Sequence, residues 1–176
     1  MPADDNKVLV RRFCEEIINT GNVDEIERII APEYFEVQDG IRNAIGIEGA
    51  KAHILGVRQT YPDLNISIER QIAEGEWVTT CITARGTHKG SWLGIKPTGK
   101  SVAFTGVNVD RVVGGRIAEH GGAANMRGPL LEIGAVKVAG SSPAGGVQPI
   151  SGVIEGFTEE PLDSQIPGEV PLGGHR

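Results

Sequence analysis

The sequence predicts an α+β fold in which three N-terminal helices pack on one face of a curved antiparallel sheet and enclose a pocket. Two observations lead to this prediction. In residues 10–18, apolar side chains recur at i, i+3, i+4, i+7 and i+8, which is the spacing of an amphipathic helix. From residue 64 onwards, apolar and polar residues alternate, which is typical of half-buried strands.

Three helices are predicted in the first third of the chain. The first ends at Gly21, and Asn22 then caps a shorter second helix. Pro32 is expected to stop this second helix, because proline disrupts a helix interior. The third helix runs from about 48 to 59 and ends before Pro62, since the residue preceding a proline avoids helical geometry.

The strands follow the helices, apart from a short one predicted over residues 34–38. Four longer strands are predicted over residues 64–69, 77–85, 101–113 and 116–124. The pair Gly114-Gly115 is a hairpin signal, so we expect these strands to form an antiparallel meander. A last short helix is predicted over about residues 126–133.

The chain divides by composition into a domain over residues 1–136 and an extension over 137–176. Glycine and proline supply 13 of the 40 positions of the extension, which exceeds the level of a packed domain. It is either a flexible tail or an extended arm that lies on a neighbouring subunit or over the pocket mouth. Apolar residues that could anchor such an arm are Val153, Ile154 and Phe157.

The composition argues against several classes of protein. The net charge is −6 and the 17 basic residues are scattered, so no nucleic-acid partner is predicted. No apolar run approaches the roughly 20 residues that cross a bilayer, and the N-terminus lacks a signal-peptide pattern. We therefore expect a cytoplasmic protein with no membrane partner. Metal-ligand spacings and nucleotide-binding glycine motifs are missing, so no metal and no cofactor is predicted.

One long segment and several short ones carry a resemblance to a known family. The long segment is GTHKGSWLGIKPTGK at residues 86–100, continued by VAFTG at 102–106. The short ones are NTGN at 19–22, YPDL at 61–64 and GRIAEH at 115–120. In this order they resemble SnoaL-like polyketide cyclases, and the similarity covers about residues 6–136.

The resemblance implies a cone-shaped fold like that of nuclear transport factor 2, called NTF2-like. It also implies a cofactor-free enzyme of secondary metabolism that closes a ring of an apolar polycyclic polyketide by intramolecular aldol addition. In that chemistry a carboxylate removes a proton from a carbon between carbonyls, and a neighbouring donor stabilises the enolate oxygen. We expect a homodimer or homotetramer that pairs through its sheet.

Three positions depart from the family pattern. The family commonly has an aromatic residue just after the Glu-His pair and, four positions further on, the aspartate that acts as base. Here these positions are Gly121 and Asn125, and an amide cannot accept a proton at neutral pH. Asn125 is kept as a catalytic candidate through hydrogen bonding. A histidine often found after the second helix is replaced by Glu36, which becomes a candidate for substrate contact.

The third long strand offers a replacement for the missing base. Phe104, Asn108 and Asp110 share one of its two faces, and the sequence does not decide which face lies inside. If this face lies inside, Phe104 and Asn108 contact the substrate and Asp110 is the preferred base. In the alternative, Asp110 faces solvent and pairs with Arg111 or Arg116.

Histidines and the long loop supply further candidates. His88 begins the loop and is either an acid/base group or a hydrogen bonder that organises the loop. Trp92, in the same loop, is a candidate for substrate contact. His120 is interpreted as a structural residue, a subunit contact or a substrate contact. His53 is predicted to be a surface residue.

The run GGAA at residues 121–124 has two interpretations. Regular strand geometry puts Ile117, Glu119, Gly121, Ala123 and Asn125 on one face. Gly121 then either widens the cavity and borders the substrate, or allows close backbone packing.

The leading functional prediction is an aldol-type cyclase that uses a replacement base. One alternative is a reaction that needs hydrogen bonding but no strong base. Another is a protein that binds a small molecule without turning it over. The last is a cofactor-independent hydroxylase or epoxide hydrolase, for which Asp110, Arg111 and Asn125 would form an imperfect site.

Overall fold

The computed structural model of the chain describes residues 2–92 and 94–137. Nearly all of the predicted extension, residues 138–176, lies outside the described residues, including the three apolar anchors of the arm. The domain boundary and both interpretations of the extension therefore stay predictions.

The helices and the strands form the two layers of an α+β fold. The helices are α1 (Ala3–Arg12), which continues as a π-helical stretch (Phe13–Ile18), a 3-10 helix (Val23–Arg28), α2 (Gly46–Thr60) and α3 (Arg127–Ile133). The strands are β1 (Ile30–Gln38), β2 (Ile41–Ala44), β3 (Asn65–Glu74), β4 (Trp77–Thr87), β5 (Ser101–Val113) and β6 (Arg116–Ala124). The α+β fold class is thus confirmed.

The strands form one curved, unclosed sheet in the order β2-β1-β6-β5-β4-β3. The predicted meander is present as β3 to β6, with antiparallel neighbours. The short strand predicted over residues 34–38 is longer than expected, because β1 extends back to Ile30 and joins β6 in parallel. A sixth strand, β2, pairs with β1 and was not predicted, because its four residues are all exposed and show no alternation.

The second helix is shorter than predicted, and the role expected for Pro32 is wrong. The 3-10 helix ends at Arg28, and Pro32 lies inside β1. The pairing of β1 with β6 is irregular between Ile30 and Phe35. Proline has no N–H to donate to a ladder, so this irregular stretch is where a strand tolerates it.

A β-bulge at Ala118 sets the direction of every side chain that follows it in β6. Val112 pairs with Ile117, whereas Arg111 pairs with Glu119 and Asp110 with His120, so Ala118 has no opposite residue. Because side chains alternate with a period of two, one extra residue moves the rest of the strand to the other face.

The face predicted for β6 is therefore wrong beyond Ile117. His120 shares the inner face with its partner Asp110, while Glu119 and Gly121 lie on the outer face with their partners Arg111 and Val109.

Apolar residues of the helices cover the inner face of the sheet in two clusters. The larger cluster contains Ile17 and Ile26 from the N-terminal helices and Ile117 from β6, all of them fully buried. The smaller cluster contains Tyr61, after the end of α2, and Val102 of β5. Members of both clusters line a cavity between α2 and the sheet.

Candidate functional site

The cavity has a volume of about 540 Å³, which is in the usual range for sites that bind small organic molecules. Its wall is mostly apolar, with side chains from the N-terminal helices, α2 and the sheet. These include Phe13, Ile18, Ile54, Val57, Ile66, Ile82 and Phe104. Within the described part of the chain, neither lysine nor arginine lines the cavity. Its chemistry therefore depends on a few neutral polar groups, histidines and one carboxylate.

The inner face of β5 is the one that carries Phe104, Asn108 and Asp110. Phe104 and Asn108 line the cavity, and Asp110 is only 1% exposed. The alternative in which Asp110 faces solvent is thus wrong. Its proposed partner Arg111 lies on the outer face, where its guanidinium is 2.9 Å from the carboxylate of Glu76.

Asp110 and His120 form a buried pair at the wall of the cavity. The Nδ1 atom of His120 lies 2.8 Å from an Oδ atom of Asp110. The rings of His120 and Phe13 pack edge to face, with 6.2 Å between their centroids. His120 lines the cavity, whereas Asp110 lies behind it and does not. With Nδ1 bonded to the carboxylate, the other ring nitrogen is the one available to a ligand.

The pKa of His120 reflects one influence that lowers it and three that raise it. Burial lowers it, but the charge of Asp110, the hydrogen bond to Asp110 and the charge of Glu36 raise it more, so the net pKa lies above the usual histidine value. The protonated imidazole is therefore stabilised in the cavity relative to a free histidine.

A second imidazole-carboxylate pair also lines the cavity. His53, in α2, places Nδ1 at 2.7 and 2.8 Å from the two carboxylate oxygens of Glu36 in β1. Both residues line the cavity, although the side chain of His53 is 54% exposed. Its hydrogen bond to Glu36 raises the pKa of His53; burial and the nearby His120 oppose this, while the charge of Glu36 adds to it.

His53 is a residue whose place in the site was missed, because it was predicted to lie only on the surface. Its exposure agrees with that prediction, but its contact with Glu36 gives it a position at the cavity. Glu36 and His53 are seventeen positions apart and lie in different elements, so no local sequence pattern predicts their contact.

His88 lies outside the cavity lining and is fully buried. Its Nδ1 is 3.0 Å from the hydroxyl of Thr98, and its backbone bonds to Gly99 and Lys100 across the base of the loop. These contacts support the interpretation of His88 as the residue that organises the loop. Trp92, from the same loop, does line the cavity.

Asn125 is exposed and does not line the cavity. The register shift at Ala118 moves the later side chains of β6 to the face opposite to the predicted one. The backbone N–H of Asn125 donates a hydrogen bond to the carbonyl of Thr105. The strand face predicted for Asn125 is therefore wrong, whereas its catalytic role stays a prediction. The three residues suggested for an epoxide hydrolase do not meet either, since Arg111 lies on the outer face.

The glycines after His120 serve close packing. A Cβ atom on Gly121 would lie 3.0 Å from the side chain of Val37, and one on Gly122 would lie 2.3 Å from the carbonyl oxygen of Val107. Neither glycine lines the cavity. The prediction that Gly121 borders the substrate is thus not supported by the geometry, and its packing alternative is.

The described residues contain neither a metal-binding cluster nor a membrane-spanning helix. No group of three or more histidine, cysteine, aspartate or glutamate residues with a metal-binding arrangement occurs in residues 2–92 and 94–137. None of the helices described is long and apolar enough to span a membrane. The predictions of a cytoplasmic protein without a cofactor stay predictions.

The sequence profile of the SnoaL-like polyketide cyclases matches residues 8–133. The chain belongs to this family. Nogalonic acid methyl ester cyclase of Streptomyces nogalater is 30% identical to this SnoaL-like chain over 121 residues, which are 66% of the chain and 88% of the relative. The aklanonic acid methyl ester cyclase DnrD of Streptomyces peucetius is 26% identical over 132 residues, which are 72% and 88% of the two chains.

Solved structures show the same fold. AclR of Streptomyces galilaeus, a candidate hydroxylase, is 24% identical, with a TM-score of 0.69 over 77% of the SnoaL-like chain and 99% of AclR. IdmH of Streptomyces antibioticus, a candidate polyketide cyclase, is 25% identical, with a TM-score of 0.63 over 73% and 98%. The NTF2-like fold is thereby confirmed. The family and its named members support an enzyme of the cyclase type that acts on a polyketide-like small molecule.

Proposed function

We propose that the chain is a cofactor-free polyketide cyclase that closes a ring by intramolecular aldol addition, with His120 as the base. The observation that carries this proposal is the contact between buried Asp110 and cavity-lining His120. A carboxylate that accepts the Nδ1–H of an imidazole leaves the Nε2 lone pair free to take a proton. Asp110 then acts through His120 instead of touching the substrate itself.

His120 would take the place of the aspartate base that the family resemblance leads one to expect at position 125. The carbon between two carbonyls of a polyketide is acidic enough for an imidazole to deprotonate, because the charge spreads over the conjugated system. General-base catalysis of this kind contributes roughly 10²–10⁴-fold to a rate. Asn108, two residues from Asp110 on the inner face, is the candidate amide donor to the enolate oxygen.

The substrate proposed is an uncharged polycyclic polyketide ester. A mostly apolar wall favours fused rings. Among the described residues the lining contains Glu36 but neither lysine nor arginine, which disfavours a substrate with a free carboxylate. The names of the relatives, cyclases of nogalonic and aklanonic acid methyl esters, point to the same class. Phe104 and Trp92 are the aromatic side chains proposed to contact the rings.

The decisive experiment measures ring closure of both methyl esters by the wild type and by His120→Gln. We expect turnover by the wild type without added cofactor, and a rate reduced by about 10²–10⁴-fold in the variant with binding retained. Tight binding of both esters by the wild type with no turnover would instead favour the ligand-binding alternative. Unchanged turnover by His120→Gln would exclude His120 as the base.

A further inference from the structure

The cavity contains two imidazoles that are held in the same way. Nδ1 of His120 contacts the carboxylate of Asp110, and Nδ1 of His53 contacts the carboxylate of Glu36. Glu36 and His120 are also register partners in the parallel β1–β6 ladder, so the two pairs are neighbours at the cavity. The mechanism proposed above uses only the first pair.

An aldol ring closure requires two proton transfers at different atoms. The donor carbon loses a proton before it attacks, and the carbonyl oxygen that is attacked gains one as its charge develops. A group that donates a proton to this oxygen in the transition state lowers the barrier. The base that deprotonates the donor carbon lies at a different atom of the substrate, so a second group has to protonate the oxygen.

We propose that His53 is a second catalytic residue, the general acid that protonates the attacked carbonyl oxygen. The inference rests on the proposed cyclase function and assigns the acid half of the same reaction. With Nδ1 donating to Glu36, the proton on Nε2 of His53 is available to a molecule in the cavity.

Two protons move between different atoms in the proposed step. Nε2 of His120 takes the proton of the donor carbon, and the electron pair of the C–H bond remains in the enolate. The enolate carbon bonds to the carbonyl carbon, the π pair of the C=O bond moves to oxygen, and that oxygen takes the Nε2 proton of His53. His120 is then protonated and His53 is neutral, and both return to their starting states by exchange with water.

Two features of His53 suit it to this role. The titratable groups that act on it are Glu36 from β1 and His120 from β6, and the hydrogen bond to Glu36 raises the pKa of His53 despite burial and the repulsion of His120. Its protonated form is therefore stabilised near neutral pH. Its side chain is also about half exposed, which allows it to recover a proton from solvent.

The test separates the two proton transfers in His53→Gln. The polyketide esters of the closure assay are incubated with the enzyme in deuterium oxide, and the deuterium that enters the donor carbon is measured beside ring closure. We expect His53→Gln to retain enzyme-dependent exchange and to lose ring closure by about 10²-fold or more. His120→Gln should lose both, and the control Lys51→Gln, on the same helix but outside the cavity lining, should keep both.

The outcomes separate the two hypotheses. If His53→Gln retains both activities, or loses exchange and closure together, His53 is not the acid, whatever the result for His120. If His120→Gln still catalyses exchange, the proposed base is wrong. If the wild type catalyses neither exchange nor closure of either ester, the proposed function is wrong, and the role of His53 that rests on it is wrong as well.

A pH profile distinguishes an acid from a merely structural His53. Closure should fall as the pH rises through the pKa of His53, because the neutral imidazole has no Nε2 proton to give. Glu36→Gln removes the carboxylate whose hydrogen bond and charge raise this pKa, so the alkaline limb of kcat/KM should move to lower pH. An alkaline limb that stays in place would contradict the proposal.

Discussion

At the scale of single residues, the acid–base properties of His120 depend on a carboxylate on either side of it in the sheet. Asp110 lies on β5 and Glu36 on β1, and both raise the pKa of His120 against the effect of its burial. An imidazole must be neutral to accept a proton, so kcat/KM should rise with pH through this raised pKa. Asp110 also holds the tautomer in which Nε2 is free.

Replacement of Asp110 by asparagine should change both properties. We expect kcat/KM of Asp110→Asn to fall by about 10²–10⁴-fold, because an amide can bond to the other tautomer of His120 and has no charge. The acid limb of the profile should move to lower pH, since the charge that raises the pKa of His120 is gone. The pH–rate profile and an NMR titration of His120 measure these two effects.

The matched control is Glu119→Gln, which removes a carboxylate adjacent to His120 in sequence. Glu119 lies on the outer face and pairs with Arg42 at 2.6 Å, so its loss should leave the profile unchanged. An equal shift in both variants would mean that general electrostatics, and not the Asp110 contact, sets the pKa of His120.

At the scale of elements, the loop between β4 and β5 is held against the end of α2. The N–H groups of Lys89 and Gly90 both donate to the carbonyl of Thr60, at 2.9 and 3.0 Å. This contact brings the loop, and with it Trp92, to the cavity. It also leaves no room for a side chain at position 90.

Gly90→Ala should therefore destabilise the fold by roughly 1–3 kcal/mol. The new Cβ atom would lie 2.2 Å from the carbonyl oxygen of Gln59 and 2.7 Å from the Cα of Thr60, and backbone atoms cannot rotate away. Urea unfolding measures the free energy of unfolding. The control is Gly128→Ala in α3, where nothing lies within 4 Å, and alanine should be neutral or slightly stabilising there.

At the scale of the whole molecule, the outer face of the sheet carries exposed apolar side chains. Val107 and Val109 of β5 are 41% and 37% exposed, and Ile72 of β3 lies on the same face. Contiguous apolar surface on a sheet is typical of a protein interface. We propose that this face pairs two copies of the chain, which is the oligomer expected from the family resemblance.

The mass in solution tests this pairing. Light scattering should give a dimer or tetramer for the wild type, and Val107→Asp combined with Val109→Asp should lower the mass towards that of a monomer, because buried unpaired carboxylates are costly. Val8→Asp, at an exposed position of α1, should leave the mass unchanged. A wild type that is monomeric at every concentration would contradict the proposal.

Much of the architecture could be predicted from local signals. The alternation in β5 and the glycine pair before β6 predicted both strands with their observed bounds, 101–113 and 116–124. The apolar spacing of the first helix predicted its buried stripe. The small strand β2 and the parallel pairing of β1 could not be predicted in this way, because they depend on contacts between distant segments.

The sequence by itself determined the fold class and the family, because these depend on residue order and local periodicity. Only the tertiary structure decided which polar groups meet in the cavity. The bulge at Ala118 turned His120 inwards against Asp110 and moved Asn125 out, and packing of α2 on β1 joined His53 to Glu36. A one-residue shift in pairing leaves no mark in a strand pattern, yet it reverses the direction of every side chain beyond it.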